Sequence, residues 1–228
     1  MTIILAIETS TDLASVALLL NEGIISRDLA GVQTHSFGLL PTVQDILQEA
    51  DLRLDQLDAI AFGCGPGAFT GVRTACGVVQ GLAFGLDLPV LSVVSLMSMA
   101  EASKEAKSWC DVVCCLDARM NEVYWAHYRF DGAAWSEIEA PRLSDFGSAL
   151  AYANEIKTSL VLGQGLQLPE HLMDLDCVSA MPHAQFALRI AQTKLRSGLQ
   201  VDAAYAQPLY LRNKVALTTA ERLLAREI

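Results

Sequence analysis

The sequence predicts an α/β chain built as two tandem lobes, each a mixed β-sheet covered by helices. Two observations carry this. The order β-β-β-α-β-α can be read twice along the chain, dividing near residue 105. In addition, 52% of the 228 residues are hydrophobic, ample for a buried core and far from the composition of a disordered chain. Residues 1–105 are expected to form an N-terminal lobe and residues 106–228 a C-terminal lobe.

The apolar run Ile3 to Ile7 predicts a buried strand, and the short polar side chains of Glu8-Thr9-Ser10-Thr11-Asp12 predict the turn that ends it. Ala14 to Leu20 reads as a second strand, and Asn21-Glu22-Gly23 as a hairpin turn into a third, Ile24 to Ala30. Across Ser36 to Ala50, Phe37, Leu40, Val43, Ile46 and Leu47 recur at the spacing of one helical face, with Pro41 starting or kinking that helix. A strand from Asp58 to Gly63, a glycine loop, a helix from Thr70 to Leu86, a strand from Pro89 to Val94 and a helix from Ser95 to Lys104 complete the first lobe. The second repeats the order: strands Asp111 to Leu116, Glu122 to Phe130 and Ala133 to Glu139, helix Ser144 to Glu155, strand Leu160 to Leu162, and a helix from about His183 to Ser197 punctuated by Pro182 and Gly198. No shared letters link the halves, so the repeat is one of pattern. A three-strand meander followed by crossover helices, taken twice, is the pattern of tandem actin-like ATPase lobes.

Sixteen basic against 26 acidic side chains give a net charge of −10, which disfavours direct binding to a phosphate backbone. Met1 to Ile7 lacks the basic segment and small-residue cleavage site of a signal peptide. No uncharged apolar run reaches the roughly 18 residues of a membrane span, so the expectation is a cytoplasmic protein without membrane contact. Its six cysteines are expected to be reduced and mostly buried. Cys110, Cys114 and Cys115 lack the second pair of ligands that a zinc knuckle needs. The four histidines show no His-x-x-x-His or His-Glu-x-x-His spacing, so no metal site is expected.

Gly63-Cys64-Gly65-Pro66-Gly67-Ala68 formally matches the relaxed dinucleotide fingerprint, but three strands precede it and Pro66 removes an amide donor; a tight turn into a helix is the simpler reading. The helix that follows carries Gly77, Gly81 and Gly85 four residues apart on one face. Each interior glycine costs about 1 kcal/mol of helix propensity, so something must offset about 3 kcal/mol. Close packing on its own sheet is one compensation. The other is that this stripe and the apolar face of Ser36 to Ala50 form a docking surface. Catalytic constellations are scarce: Glu8, Thr9 and Ser10 in the first turn and Asp117 in the equivalent turn of the second half are weak candidates to face a cleft between the lobes.

The motifs Ile7-Glu8-Thr9-Ser10-Thr11, Gly65-Pro66-Gly67-Ala68-Phe69-Thr70-Gly71-Val72-Arg73, Asp117-Ala118-Arg119 with Glu122-Val123-Tyr124, and Pro208-Leu209-Tyr210-Leu211-Arg212 together resemble the TsaB (YeaZ) family over nearly the whole chain. Ala68 and Val72 stand where that family often has Ser and Leu. The resemblance implies an actin-like ATPase (ribonuclease-H-like) fold. It further implies work with a TsaD paralogue and the ATPase TsaE, placing the threonylcarbamoyl group on the adenosine beside the anticodon of ANN-decoding tRNAs. The catalytic paralogue's His-x-x-x-His positions fall on Ser95 and Met99, and its Asp-Asn dipeptide is missing from this sequence. This implies a non-catalytic partner or activator with no catalytic residue, no metal and no cofactor of its own, a nucleotide belonging at most to the partner boundary, and tRNA reached only indirectly. The interface implied by the resemblance takes His35, Ser36, Phe37, Leu40, Val43 and Leu47 from the first helix. From the second it takes Thr70, Arg73, Thr74, Gly77, Val78, Gly81 and Gly85, and the same face would form a homodimer when the chain is alone. The rival from another class is an independent actin-like-fold enzyme, a kinase or glycoprotease-like hydrolase.

Overall fold

A computed structural model describes residues 2–30, 34–172 and 175–212. Strands β1 (Ile3–Glu8), β2 (Leu13–Leu20) and β3 (Gly23–Ala30) form an antiparallel meander; β4 (Ala59–Gly65) adds parallel to β1 and β5 (Val90–Val94) parallel to β4, giving the order β3-β2-β1-β4-β5. Strands β6 (Asp111–Asp117), β7 (Glu122–Phe130), β8 (Trp135–Asp145), β9 (Ser159–Leu162) and β10 (Cys177–Ser179) trace the same path, in the order β10-β9-β6-β7-β8. The repeat expected from the element pattern is therefore a repeat of topology, and the fold is a pair of actin-like lobes.

Every residue of β1 is buried because the first sheet is covered on both sides. Ile3, Leu5 and Ile7 face a core closed by α1 (Thr34–Glu49) and α2 (Phe69–Leu86), through Leu39, Val43, Ile46, Leu47, Ala75, Cys76, Val79 and Ala83. Ile4 and Ala6, with Ala17, Ala59 and Ala61, face α5 (Ala184–Arg196) through Ala184, Ala187, Leu188 and Ala191, small residues on both sides that let helix and sheet approach closely. The second sheet packs α3 (Ser95–Ser103) through Leu96, Met99 and Ala100 on one face and α4 (Phe146–Ile156) through Ala149, Leu150 and Ala153 on the other. Helices α3 and α5 touch each other, so they form a shared middle layer between the sheets. Buried Glu101 of α3 fastens that layer: Trp135 Nε1 donates to it at 2.8 Å, and Lys104 and Arg189 lie at 3.1 and 3.5 Å.

Helix α1 contains Pro41 inside it, which settles against the alternative that the helix starts there. Several other expectations need correcting. Strand β8 extends six residues beyond Glu139 to Asp145, whose carboxylate then caps α4 by accepting from the Ser148 N–H at 2.9 Å. The short strand β10 escapes the sequence pattern altogether. Most consequentially, a division at residue 105 separates the sheets but assigns α5 to the wrong one. Its N-terminus is tied to the first sheet: Ala184 N–H donates to Ser15 Oγ, and His183 caps the helix through Nδ1, which places the ring proton on Nε2 facing Asp28 at 2.6 Å. Among the described residues, no helix is long and apolar enough to cross a membrane.

Candidate functional site

Six of the glycines from the end of β4 through α2 fall into two sets. Gly63, Gly67 and Gly71 give up their side chains to the turn that follows β1. A Cβ on Gly63 would lie 1.9 Å from Glu8 Oε2, one on Gly67 2.3 Å from the Ser10 carbonyl, and one on Gly71 1.9 Å from the Thr9 carbonyl. The contacts are made good by hydrogen bonds: Ala68 N–H donates to the Ser10 carbonyl, and Thr9 Oγ1 to the Gly71 carbonyl, both at 2.7 Å. Gly65 and Pro66 are joined by a cis peptide. The glycine loop is thus filled by its own chain rather than left open for a phosphate.

Glu8 is sealed at the centre of this arrangement. Its carboxylate accepts from the Ser10 N–H at 2.7 Å and from Ser95 Oγ at 2.9 Å. Burial pushes its pKa up, and these hydrogen bonds only partly offset that. Met99, one turn along α3 from Ser95, is fully buried in the core against the second sheet.

A cleft of about 580 Å³ opens between the lobes. Ser10 and Asp117 line it, together with Asp12, Arg119, Tyr124 and Tyr210. Glu8 and Thr9 do not; both are buried beneath the turn, because the glycines opposite let it settle into the lobe. Across the cleft, the Arg119 guanidinium lies 3.3 Å from Asp117 and 3.7 Å from Asp12, so a resident cation already sits between the two turn carboxylates. That guanidinium offsets part of the negative charge of the two turn carboxylates, and the nearby glycines are packed against backbone. Among the described residues, no cluster of three or more His, Cys, Asp or Glu could hold a metal ion. Cys64 and Cys115 are unsuited to act as nucleophiles, since burial pushes each thiol up to about 12.

Gly77, Gly81 and Gly85 are the second set, and among the described residues nothing lies within 4 Å of where their side chains would be. They sit on the exposed side of α2, in line with Arg73 and Phe69, while the opposite side buries Gly71, Val72, Ala75, Cys76, Val79 and Ala83. Thr70 is exposed and Thr74 and Val78 are half-buried at the flanks. On α1, beside α2 over the same face of the sheet, Phe37 is 85% exposed and Leu40 is 46% exposed. Val43 and Leu47 are corrections: both are buried in the first core, because the inner face of α1 runs through Leu39, Val43, Ile46 and Leu47, while Phe37 and Leu40 fall outside it. The side chains of His35 and Ser36 lie outside the described residues.

Two exposed aromatics on α2 were not anticipated. Phe84 is 81% exposed beside the last two glycines, and Phe69 packs on Tyr210 with ring centroids 5.6 Å apart. The sequence signal for Phe84 was available, since it falls on the side of the helix shared with Gly77 and Gly81. The exposed ridge is therefore smooth in the middle and aromatic at its ends.

Comparison with known proteins places this architecture among described relatives. The family model "TsaD: tRNA N6-adenosine threonylcarbamoyltransferase" matches residues 23–225. The tRNA threonylcarbamoyladenosine biosynthesis protein TsaB of Haemophilus influenzae is 35% identical, over 98% of this chain and 98% of its own length. The TsaB protein of Escherichia coli is 36% identical over 93% and 96%. Among solved structures, YeaZ from Pseudomonas aeruginosa superposes with a TM-score of 0.79 at 35% identity, covering 92% of this chain and all of that one. A further structure, described by its similarity to peptidase YeaZ from Pseudomonas aeruginosa, gives 0.82 at 36%, covering 93% and 100%.

Proposed function

We propose that this chain, which belongs to the TsaB family of tRNA threonylcarbamoyladenosine biosynthesis proteins, serves as a non-catalytic partner that supports a TsaD paralogue in forming N6-threonylcarbamoyladenosine on ANN-decoding tRNAs. The observation that carries this reading is the ridge of α2. Three glycines cost the helix about 3 kcal/mol, and among the described residues nothing packs against any of them. A backbone surface kept bare at that cost, with Phe37, Leu40 and Phe84 standing around it, suits close approach by another protein's helix. The TsaD paralogue is the intended occupant, and a second copy of this chain occupies the same face when the paralogue is absent. TsaE joins the assembly, and tRNA is held by the partners, in keeping with the net charge of −10.

The rest of the site supports a subunit without chemistry of its own. Where the resemblance puts two metal-binding histidines in the catalytic paralogue, this chain has Ser95, hydrogen-bonded to a buried glutamate, and Met99, packed in the core. The chain binds no metal or nucleotide by itself, and a nucleotide in the assembly belongs to a subunit boundary. Among the described residues, the hydrogen bonds of His127 and His183 go to Asp111, Tyr152, Asp28 and the Gln185 amide, none to a serine or cysteine nucleophile.

Reconstitution tests this directly. Threonylcarbamoyl transfer to tRNA is measured with the paralogue, with and without this chain. The expected result is transfer that depends on the chain and falls about tenfold or more with Gly81→Leu, which blocks the ridge. Full transfer in its absence, or robust ATP or peptide turnover by the chain alone, would sink the proposal.

A further inference from the structure

Four consecutive residues, Leu209 to Arg212, cross from the first lobe to the second, and each is anchored on a different element. Leu209 N–H donates to the Cys64 carbonyl of β4 at 2.7 Å, and its side chain packs on the first core. The Tyr210 hydroxyl accepts from Arg73 Nε on α2 at 2.7 Å, while the Arg73 guanidinium lies 3.8 Å over the Phe69 ring. Leu211 packs on the core between α3 and the second sheet. Arg212 then grips the β6–β7 turn: Nη2 donates to the Ala118 carbonyl at 3.0 Å and meets Glu122 Oε2 at 2.7 Å, and Nη1 lies 3.2 Å from Met120 Sδ.

That turn needs outside support. Arg119, Met120 and Asn121 have φ of 63°, 59° and 60°, three successive left-handed residues with no glycine among them. Such a conformation persists where its surroundings over-determine it. Arg212 does so by holding the residues on both sides of the three, Ala118 and Glu122, with one guanidinium. The three Cα steps from Leu209 to Arg212 span at most about 11 Å, which leaves little slack between the two lobes' anchor points.

We infer that residues 209–212 form a strap that couples the Arg73 side of α2 to the β6–β7 turn at the cleft. The turn keeps its left-handed form while the strap is seated, and contact made on the Phe69–Arg73–Tyr210 cluster is relayed to the cleft wall that carries Asp117 and Arg119. This coupling is a property of the isolated chain and does not depend on which partner docks.

The test is amide exchange on the purified full-length chain, read at Ala118, Arg119 and Glu122, whose N–H groups are hydrogen-bonded in the turn. Arg212→Ala should speed exchange there about tenfold, the loss of one charge-assisted clamp. Arg73→Ala and Tyr210→Phe, both at the far end of the strap, should speed the same three amides by a smaller factor. If those two variants loosen the first turn of α2 and leave the three amides untouched, the coupling does not exist. Should Arg212→Ala fail to fold, Tyr210→Phe, which removes only a hydroxyl, decides the matter by the same readout.

Discussion

Gly63, Gly67 and Gly71 are spaced like Gly77, Gly81 and Gly85, yet the two sets do opposite things. The first set is pressed against the turn at Glu8, Thr9 and Ser10, where any side chain would collide with backbone or with a buried carboxylate. The second set meets no atom within 4 Å among the described residues. Spacing alone therefore does not say what a glycine is for. The first set is explained by what it touches, whereas nothing among the described residues packs on the second, and its cost in helix propensity is what the proposed docking ridge accounts for.

The contrast breaks most visibly at Gly71. Gly71→Ala puts a Cβ on the Thr9 carbonyl and should cost about 3 kcal/mol or more, measured by denaturant unfolding; a near-neutral result would mean that the turn after β1 can move aside. Next in size, Gly81→Leu should weaken association with a helix-presenting partner or second copy by about 2 kcal/mol, while the unfolding midpoint stays unchanged or rises. Sizing and thermal melting of the same sample check both halves of that expectation. Loss of stability without loss of association would reverse the assignment of the ridge.

The inner set also has a pH signature. Burial raises the Glu8 pKa above the ordinary 4.5, so the folded state keeps this proton to higher pH than the unfolded state does. The contribution is most favourable below 4.5 and is lost as pH rises through the folded-state value, with a slope of at most about 1.4 kcal/mol per pH unit. Glu8→Gln cannot ionise, so its stability relative to the parent should climb over that window; parallel stability curves for the two proteins would contradict it. The smallest expected change sharpens the comparison from the other side. Gly77→Ala should stabilise the isolated chain by about 1 kcal/mol through helix propensity alone, since its Cβ meets nothing among the described residues.

Much of the fold was legible because the responsible signals are local. Alternating apolar runs gave the two meanders, and the 3.6-residue period gave the helices. What was missed is set by tertiary packing. Strand β8 continues past Pro141 because its pairing with β7 persists through Arg142, Leu143 and Ser144, a fact about the partner strand rather than about the segment itself. The alanine face of α5 identifies a helix made for close packing, but nothing in it says which of two sheets it covers. Within the site, the ridge was visible through its cost in propensity. Val43 and Leu47 were misplaced because the same spacing marks a core face and a docking face. That Glu8 is sealed rather than presented to the cleft depends on Gly63 lying opposite it, 55 residues later in the chain.

Helix α5 closes one face of a sheet whose last strand is finished long before the helix exists. Val94 and Ala184 are 90 residues apart, so at about 5–20 residues per second a ribosome works for several seconds between them. During that interval Ile4, Ala6, Ala61 and Leu91 have no helix over them. A newly made first lobe must wait for a helix that follows its last strand by some 90 residues before it is watertight, which makes early termination or a stalled ribosome more hazardous for this protein than two self-contained lobes would suggest.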